Sequence, residues 1–174
     1  MSRTLDLQLP LIDTFTPTDP TQFASLPVDP TGLVARTLPA TADRATSTTG
    51  AAYQPRGALH LEDNPVQASP VLADAGVDYV SINLDSLYRA RDAAAAQQLT
   101  KTYGDLAAAR PAAQAAAPVP GLPDSRCVRV AEFGGLISRY WCLTTVDRYM
   151  VKTVARQLDQ AQQQLASQYR ILAG

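Results

Sequence analysis

Hydrophobic and polar positions alternate most regularly in the last third of the chain, and this stretch predicts a β-meander. Residues 127–133 and 136–144 alternate with period two on either side of Gly134-Gly135. Two glycines between alternating segments favour a two-residue turn with positive φ angles, and therefore a β-hairpin. A second turn near Asp147-Arg148 leads into a third predicted strand, residues 149–154.

The same pattern places the two cysteines of the chain opposite each other. With the two glycines as the turn, Cys127 faces Cys142, Val130 faces Arg139 and Phe133 faces Leu136. Directly opposed residues lie within the Cα range of a disulfide, so we predict a bond between Cys127 and Cys142 and an oxidising compartment. The spacing is not that of a C-x-x-C redox pair. Two cysteines and a single histidine also do not fill a tetrahedral zinc site, so no metal is predicted.

Upstream of the meander, helix and strand signals alternate. Asn64-Pro65 predicts the start of a helix that ends near residue 74, and Asp92 predicts the cap of a helix over 93–109. Strands are predicted at 58–62, 77–84 and 86–91. A final helix over 156–173 follows from apolar positions spaced three and four residues apart. Residues 110–123 are a proline-broken loop of low complexity.

These elements predict an α+β domain over residues 57–174. Its sheet is expected to be mainly antiparallel, with helices on one face. The first elements follow the β-α-β-β-α order of a ferredoxin-like unit, and the disulfide-closed meander and the C-terminal helix come after them.

Residues 1–56 differ from the rest and predict an extended arm. The segment is rich in proline and threonine, and its X-Pro steps bias the backbone towards extended conformations. Small apolar islands interrupt it, among them Leu11, Ile12, Phe15 and Phe23. A free linker does not need such islands, so we expect them to pack on this domain or on a partner.

Composition and charge narrow the function classes. No stretch approaches the length of an apolar membrane-spanning helix, and no run of basic residues points to nucleic acid. Residues 1–80 carry four basic and nine acidic side chains, whereas residues 81–174 carry eleven and seven. This asymmetry would help the two halves to dock, or would give the C-terminal part an affinity for anions. The N-terminus does not read as a signal peptide, so the sequence is that of a cytosolic protein or of a mature segment.

Candidate catalytic chemistry is sparse, and we predict no catalytic residue and no cofactor. His60 is the single histidine, and no G-x-S-x-G motif places a serine for it. The carboxylates Glu62, Asp63, Asp78 and Asp85 fall at predicted strand ends, where turn chemistry accounts for them. No glycine-rich phosphate loop or dinucleotide fingerprint is present.

The strand that holds Tyr140 and Trp141 has two sides of different character. Trp141 faces Val128 and is predicted to be a core residue. Tyr140 lies on the other side with Cys127, Cys142 and Arg129. If that side is uncovered, Tyr140 and Arg129 form an interaction surface, to which the arm residues Leu11, Ile12, Phe15 and Phe23 add further apolar contacts.

Several separated motifs resemble an uncharacterised family of cell-envelope lipoproteins from actinobacteria such as mycobacteria and nocardiae. They are found at residues 55–60, 87–96, 118–127 and 141–149 and in the last helix, so the resemblance covers about residues 55–174. It implies an exported, lipid-anchored protein with bridged cysteines, and it brings no catalytic residues. This chain departs from the family in lacking a lipobox cysteine and in its shorter N-terminal half. Either an anchor was removed, or the chain is a partner within a larger assembly.

Three functions remain in competition. The leading hypothesis is a non-enzymatic, exported envelope module that binds another protein as an accessory subunit. The second is a carrier of a lipid or another anionic small molecule, in a pocket between sheet and helices. The third is a small hydrolase.

Overall fold

The computed structural model describes residues 2–27, 29–132 and 136–174, and of residues 2–5, 11 and 132 it describes the backbone alone. Five α-helices and seven strands follow one another along this part of the chain. In chain order they are α1 (Ser2–Asp13), β1 (Ala51–Tyr53), α2 (Pro55–Ala58), α3 (Pro65–Asp74), β2 (Tyr79–Ile82), β3 (Ser86–Arg89), α4 (Ala93–Ala108), β4 (Gln114–Ala116), β5 (Arg126–Glu132), β6 (Ile137–Val146), β7 (Tyr149–Ala155) and α5 (Leu158–Ala173). Short 3-10 turns lie at Pro20–Ser25, Val34–Arg36 and Leu59–Leu61.

All seven strands form one sheet in the order β1-β2-β3-β7-β6-β5-β4, and every neighbouring pair is antiparallel. The predicted α+β class with an antiparallel sheet is confirmed. The β-α-β-β-α order is also present, with β1 as its first strand. However, β1 and β2 pair directly and antiparallel, whereas a ferredoxin-like unit runs its helix-linked strands parallel and apart.

The predicted hairpin register is confirmed where the structure describes it. Cys127 pairs with Cys142, Val128 with Trp141 and Val130 with Arg139. The two cysteines form a disulfide bond. The predicted turn at Gly134-Gly135 and the pairing of Phe133 lie outside the described residues.

Helices cover both faces of the sheet, so the expectation of helices on one face is wrong. On one face Tyr88, Leu143 and Met150 pack in a cluster with side chains of α3 and α4. On the other face their neighbours Leu87, Cys142 and Val151 pack with α5. Because side chains alternate along a strand, adjacent apolar residues of the central strands can serve two cores. The short apolar runs at residues 140–143 of β6 and 149–151 of β7 therefore reflect burial on both sides.

Part of the segment expected as an arm packs into this domain. Leu33 is 1% exposed and belongs to the cluster under α5. The buried side chain of Gln168 in α5 accepts a hydrogen bond from the Leu38 N–H at 2.5 Å and donates one to the Arg36 carbonyl at 2.7 Å. Thr37 donates to the Ser81 hydroxyl at 2.8 Å. These bonds fix residues 33–38 across the sheet and α5.

The extended conformation predicted for the start of the arm is wrong, because Ser2–Asp13 is helical. Leucine and glutamine have good helix propensity, and Pro10 near the C-terminal end removes one backbone hydrogen bond from the helix. The Thr14 hydroxyl donates to the Pro10 carbonyl at 3.0 Å in the last turn. Local propensity therefore outweighs the X-Pro bias here.

Two further predictions at the sheet edges are corrected. Residues 58–62, expected as a strand, lie in α2 and the 3-10 turn Leu59–Leu61, where Pro55 occupies the first helical position. Residues 110–123, expected as a loop, contain β4, which pairs with β5. Alanine gave no strand signal at this position, since its β propensity is low.

Asp85 in the turn between β2 and β3 is a buried carboxyl group. Its side chain is 4% exposed, and neither oxygen has a hydrogen-bond partner among the described residues. Burial raises the pKa of Asp85 to about 8. The native state therefore binds the proton more tightly than the unfolded chain, in which the pKa is near 3.8.

We predict that Asp85→Asn stabilises the protein at high pH. A raised carboxyl pKa lowers the free energy of unfolding as the pH rises from about 4 to about 8, and asparagine removes this loss. At pH 8 the variant should be more stable than the wild type by a few kcal/mol, on the order expected for a shift of this size. The difference should vanish towards pH 4 in urea titrations. Asp124→Asn, which changes an exposed carboxylate, is the control; the same pH-dependent gain there would contradict the assignment to Asp85.

We also predict that Cys142→Ser lowers the free energy of unfolding by about 3 kcal/mol, because the disulfide closes a loop of about 15 residues in the unfolded chain. The measurement is denaturant unfolding of both proteins with and without reductant. Reduction should bring the wild type close to the variant. A wild type that is insensitive to reductant would mean that the bond contributes little to stability.

Candidate functional site

The predicted arm residues lie on the surface in the described structure. Ile12, Phe15 and Phe23 are exposed, as are Leu7, Leu9 and Leu26 in the same segment. The side chain of Leu11 lies outside the described part. The apolar side chains described within residues 2–27 are therefore open to a partner, whereas Leu33, which follows them, packs into the domain core.

The face of Tyr140 and Arg129 is largely closed. Tyr140 is partly buried in the cluster that α5 covers, together with Cys127 and Cys142. The Arg129 guanidinium donates to the Gln114 side chain at 3.2 Å and to the Ser138 hydroxyl at 2.9 Å. Both bonds lie within the sheet, so Arg129 supports the contact between β4, β5 and β6.

A buried ion pair, which no sequence motif indicates, lies on the opposite face. The Lys152 Nζ atom is 3.1 Å from the Glu62 Oε2 atom, and the two side chains are only 8% and 7% exposed. Lys152 projects from β7, and Glu62 follows the 3-10 turn Leu59–Leu61. The pair therefore joins residues that are 90 positions apart in sequence.

Aromatic rings enclose the Lys152 ammonium. It lies 5.4 Å from the ring centroids of Tyr88 and Tyr103 and 5.3 Å from that of Trp141. Such contacts offset part of the cost of removing an ammonium from water. Trp141 is 7% exposed, which confirms its predicted place in the core.

Glu62 is held by a second contact, because the Tyr88 hydroxyl donates to its Oε1 atom at 2.5 Å. Burial raises the pKa of Tyr88 well above its ordinary value, and the Glu62 charge raises it further. The pKa of Tyr103 is raised for the same two reasons. Both phenols therefore keep their protons, and Tyr88 can act as a donor to the carboxylate.

A cleft of about 220 Å³ opens above this cluster, between the start of α3 and the end of α4. Glu62, Tyr103 and Trp141 contribute to its walls. Arg110 closes its rim: the guanidinium is 2.6 Å from the Asp63 carboxylate and 5.0 Å from the Trp141 ring centroid. The Tyr103 hydroxyl and the Trp141 Nε1 atom are buried behind the wall and have no hydrogen-bond partner among the described residues.

A family model for the C-terminal part of a domain of unknown function, DUF7373, matches residues 33–174. The chain belongs to the DUF7373 family. No curated protein and no solved structure matches it. The DUF7373 match begins at Leu33, the residue at which the chain enters the buried core.

In this DUF7373 domain the remaining candidate, His60, is not among the residues that line the cleft. His60 is exposed on the 3-10 turn, two residues before Glu62. Within the described ranges, no three His, Cys, Asp or Glu side chains are arranged to hold a metal ion. None of the helices in the described parts of the chain is long and apolar enough to cross a membrane.

The buried cluster of the DUF7373 domain serves to hold parts of the fold together. Both charges of the pair face each other, and the Glu62 carboxylate receives a further hydrogen bond. The segment 59–64 is thereby fixed against β3 and β7, and α3 begins from a fixed position. A missing partner would leave an uncompensated charge in this interior.

We predict that Lys152→Met lowers the free energy of unfolding by about 3–5 kcal/mol, because the Glu62 carboxylate would remain buried without its cation. The double variant Lys152→Met with Glu62→Gln should be more stable than the single variant, since the amide is neutral and still accepts from Tyr88. Urea unfolding measures both. Lys101→Met, which removes the exposed partner of Asp105, is the matched control and should change stability little. Equal stability of the single and double variants would contradict the assigned charge penalty.

Proposed function

We propose that this chain is a non-enzymatic, exported module of the cell envelope that binds another protein through residues 2–27. The observation that carries this proposal is the exposure of six large apolar side chains in that segment. They are between 51% and 71% exposed: Leu7, Leu9, Ile12, Phe15, Phe23 and Leu26. Exposing apolar area to water costs roughly 25 cal/mol per Å². Burying these side chains against a partner would therefore be favourable.

The charge of residues 1–27 favours a protein as their binding partner over an anionic membrane surface. Residues 1–27 contain one arginine and three aspartates, Asp6, Asp13 and Asp19, and no lysine. Helices that lie on anionic membranes carry basic residues on their polar face. An acidic and apolar segment fits an apolar groove with a basic rim on another protein.

The disulfide supports export. Bonds between cysteines persist in oxidising compartments and are rare in the cytosol of most organisms. Both cysteines are buried under α5, so the bond forms part of the fold. The resemblance to envelope lipoproteins points to the same compartment, and an accessory subunit of an envelope complex accords with it.

A non-catalytic role accords with the arrangement of the polar groups. His60 is exposed and lies apart from the buried cluster. The Glu62 and Lys152 charges contact each other, and the aromatic rings close the space around Lys152. These groups have structural roles in the fold.

We predict that photo-cross-linking identifies a partner at residues 2–27. A benzophenone side chain placed at Phe15 or Phe23 should cross-link to one partner protein in the envelope fraction of the source organism. The same group at Val66, which is 82% exposed on α3, should not do so. Phe15→Ser combined with Phe23→Ser should abolish co-purification of this partner. Val66→Ser combined with Leu136→Ser, a pair that is even more exposed, should leave it unchanged.

Two outcomes would contradict the proposal. Equal cross-linking from Val66 and from the two phenylalanines would show non-specific apolar contact. Cross-links between two copies of this chain would show that the segment mediates self-association and does not bind a different protein.

A further inference from the structure

A second cleft, on another part of the surface, is lined by three arginines. Its volume is about 200 Å³, and the guanidinium-bearing residues are Arg44, Arg139 and Arg156. Val154, Ala155 and Gln160 complete the described lining, in which no carboxylate takes part. A concentration of one charge sign in a cleft produces a strong local potential for anions.

Four separate segments bring these residues together. Arg44 ends a turn, in which its N–H donates to the Thr41 carbonyl at 2.8 Å. Arg139 lies on β6, Arg156 lies between β7 and α5, and Gln160 is in the first turn of α5. Tyr140 pairs with Ala155, and Arg139 and Arg156 each lie one residue beyond that pair, at the end of β7.

Two described carboxylates near the cleft, Asp43 and Asp159, are engaged locally. Asp43 precedes Arg44, and the hydrogen bond from the Thr41 side chain lowers the pKa of Asp43 more than the Arg44 charge does. Asp159 accepts a hydrogen bond from the Gln160 N–H at 2.8 Å. Arg44 and Arg156 are exposed, and neither forms an ion pair with any residue that the structure describes. The positive charge of the cleft is therefore only partly balanced.

The start of α5 adds a partial positive charge, of which the Asp159 carboxylate in its first turn offsets a part. Its N-cap residue Gln157 makes no side-chain hydrogen bond to the first turn. The N-terminus of a helix carries a partial positive charge on its free N–H groups. Gln160, in the same turn, brings a side-chain amide to the wall of the cleft.

We propose that this cleft binds a phosphate group. Guanidinium groups are permanently charged and planar, and their paired N–H donors match the oxygens of a phosphate. Arg44 and Arg156 come from different segments and suit an anion with several oxygens, and the volume of about 200 Å³ admits a phosphate with a small substituent. This function goes beyond binding a protein through residues 2–27 and uses different residues.

The test measures binding of inorganic phosphate and of glycerol 3-phosphate to the full chain by NMR, with isothermal titration calorimetry for the affinity. Amide shifts should centre on Ala155 and Gln160, and binding should weaken as the salt concentration rises. Arg44→Gln and Arg156→Gln should each reduce the affinity by about tenfold or more, the effect expected for a lost charge-assisted hydrogen bond. Arg170→Gln is the matched control, because Arg170 lies in the last turn of α5, roughly 20 Å along the helix.

A second arm distinguishes a free phosphate ester from a lipid headgroup. Vesicles of phosphatidylcholine with phosphatidylglycerol are compared with vesicles of phosphatidylcholine alone. Arginine-dependent sedimentation with the anionic vesicles, without binding of the free esters, would assign the phosphate to a lipid surface. Thermal melting of each variant confirms that the fold is retained, as expected for exposed residues.

Two results would overturn the proposal. The first is a wild-type protein that binds neither the phosphates nor the anionic vesicles. The second is a loss of affinity in Arg170→Gln equal to that in Arg156→Gln, which would show only general charge attraction.

Discussion

The register between β5 and β6 is the constraint on which the rest of the fold depends. A shift of one residue would exchange every side chain between the two faces of the sheet. Here such a shift would turn Leu143 towards α5 and Cys142 towards α4, and both cores would be lost. The disulfide between Cys127 and Cys142 fixes this register covalently. A single local bond thereby secures the assignment of residues to two cores.

The two cores differ in chemistry because of this assignment. The side under α5 contains the disulfide and apolar contacts, together with the Gln168 hydrogen bonds to residues 36 and 38. The side under α4 contains the Lys152–Glu62 pair and its three aromatic rings. A buried ion pair is a poor source of net stability but requires its partners to be in place. We infer that it specifies how segment 59–64 docks on the sheet.

The sequence predicted those parts of the molecule that local rules determine. The hairpin register, the caps of α3 and α4 and the core position of Trp141 follow from alternation, N-cap residues and turn glycines. The turn Leu59–Leu61 is predicted as a strand because a short apolar pattern fits a strand or a helix equally well. The helix Ser2–Asp13 is not predicted because the X-Pro steps of this segment favour an extended backbone. The Lys152–Glu62 pair and the three-arginine cleft join distant segments, and no spacing in one sequence reveals such contacts. For this reason the sequence alone explains Glu62 only as an acidic residue at the end of a predicted strand.

The two proposed binding regions are connected through α5. Near its C-terminal end, Gln168 holds residues 36–38, from which the exposed segment 2–27 extends towards the N-terminus. At its N-terminal end, Gln160 lines the cleft that Arg44 approaches from the same polypeptide segment. A phosphate group bound by both Arg44 and Arg156 would link residues 33–44 to the start of α5. A ligand stabilises the conformation that it binds. Phosphate in the cleft would therefore favour the conformation in which residues 33–44 pack on the domain.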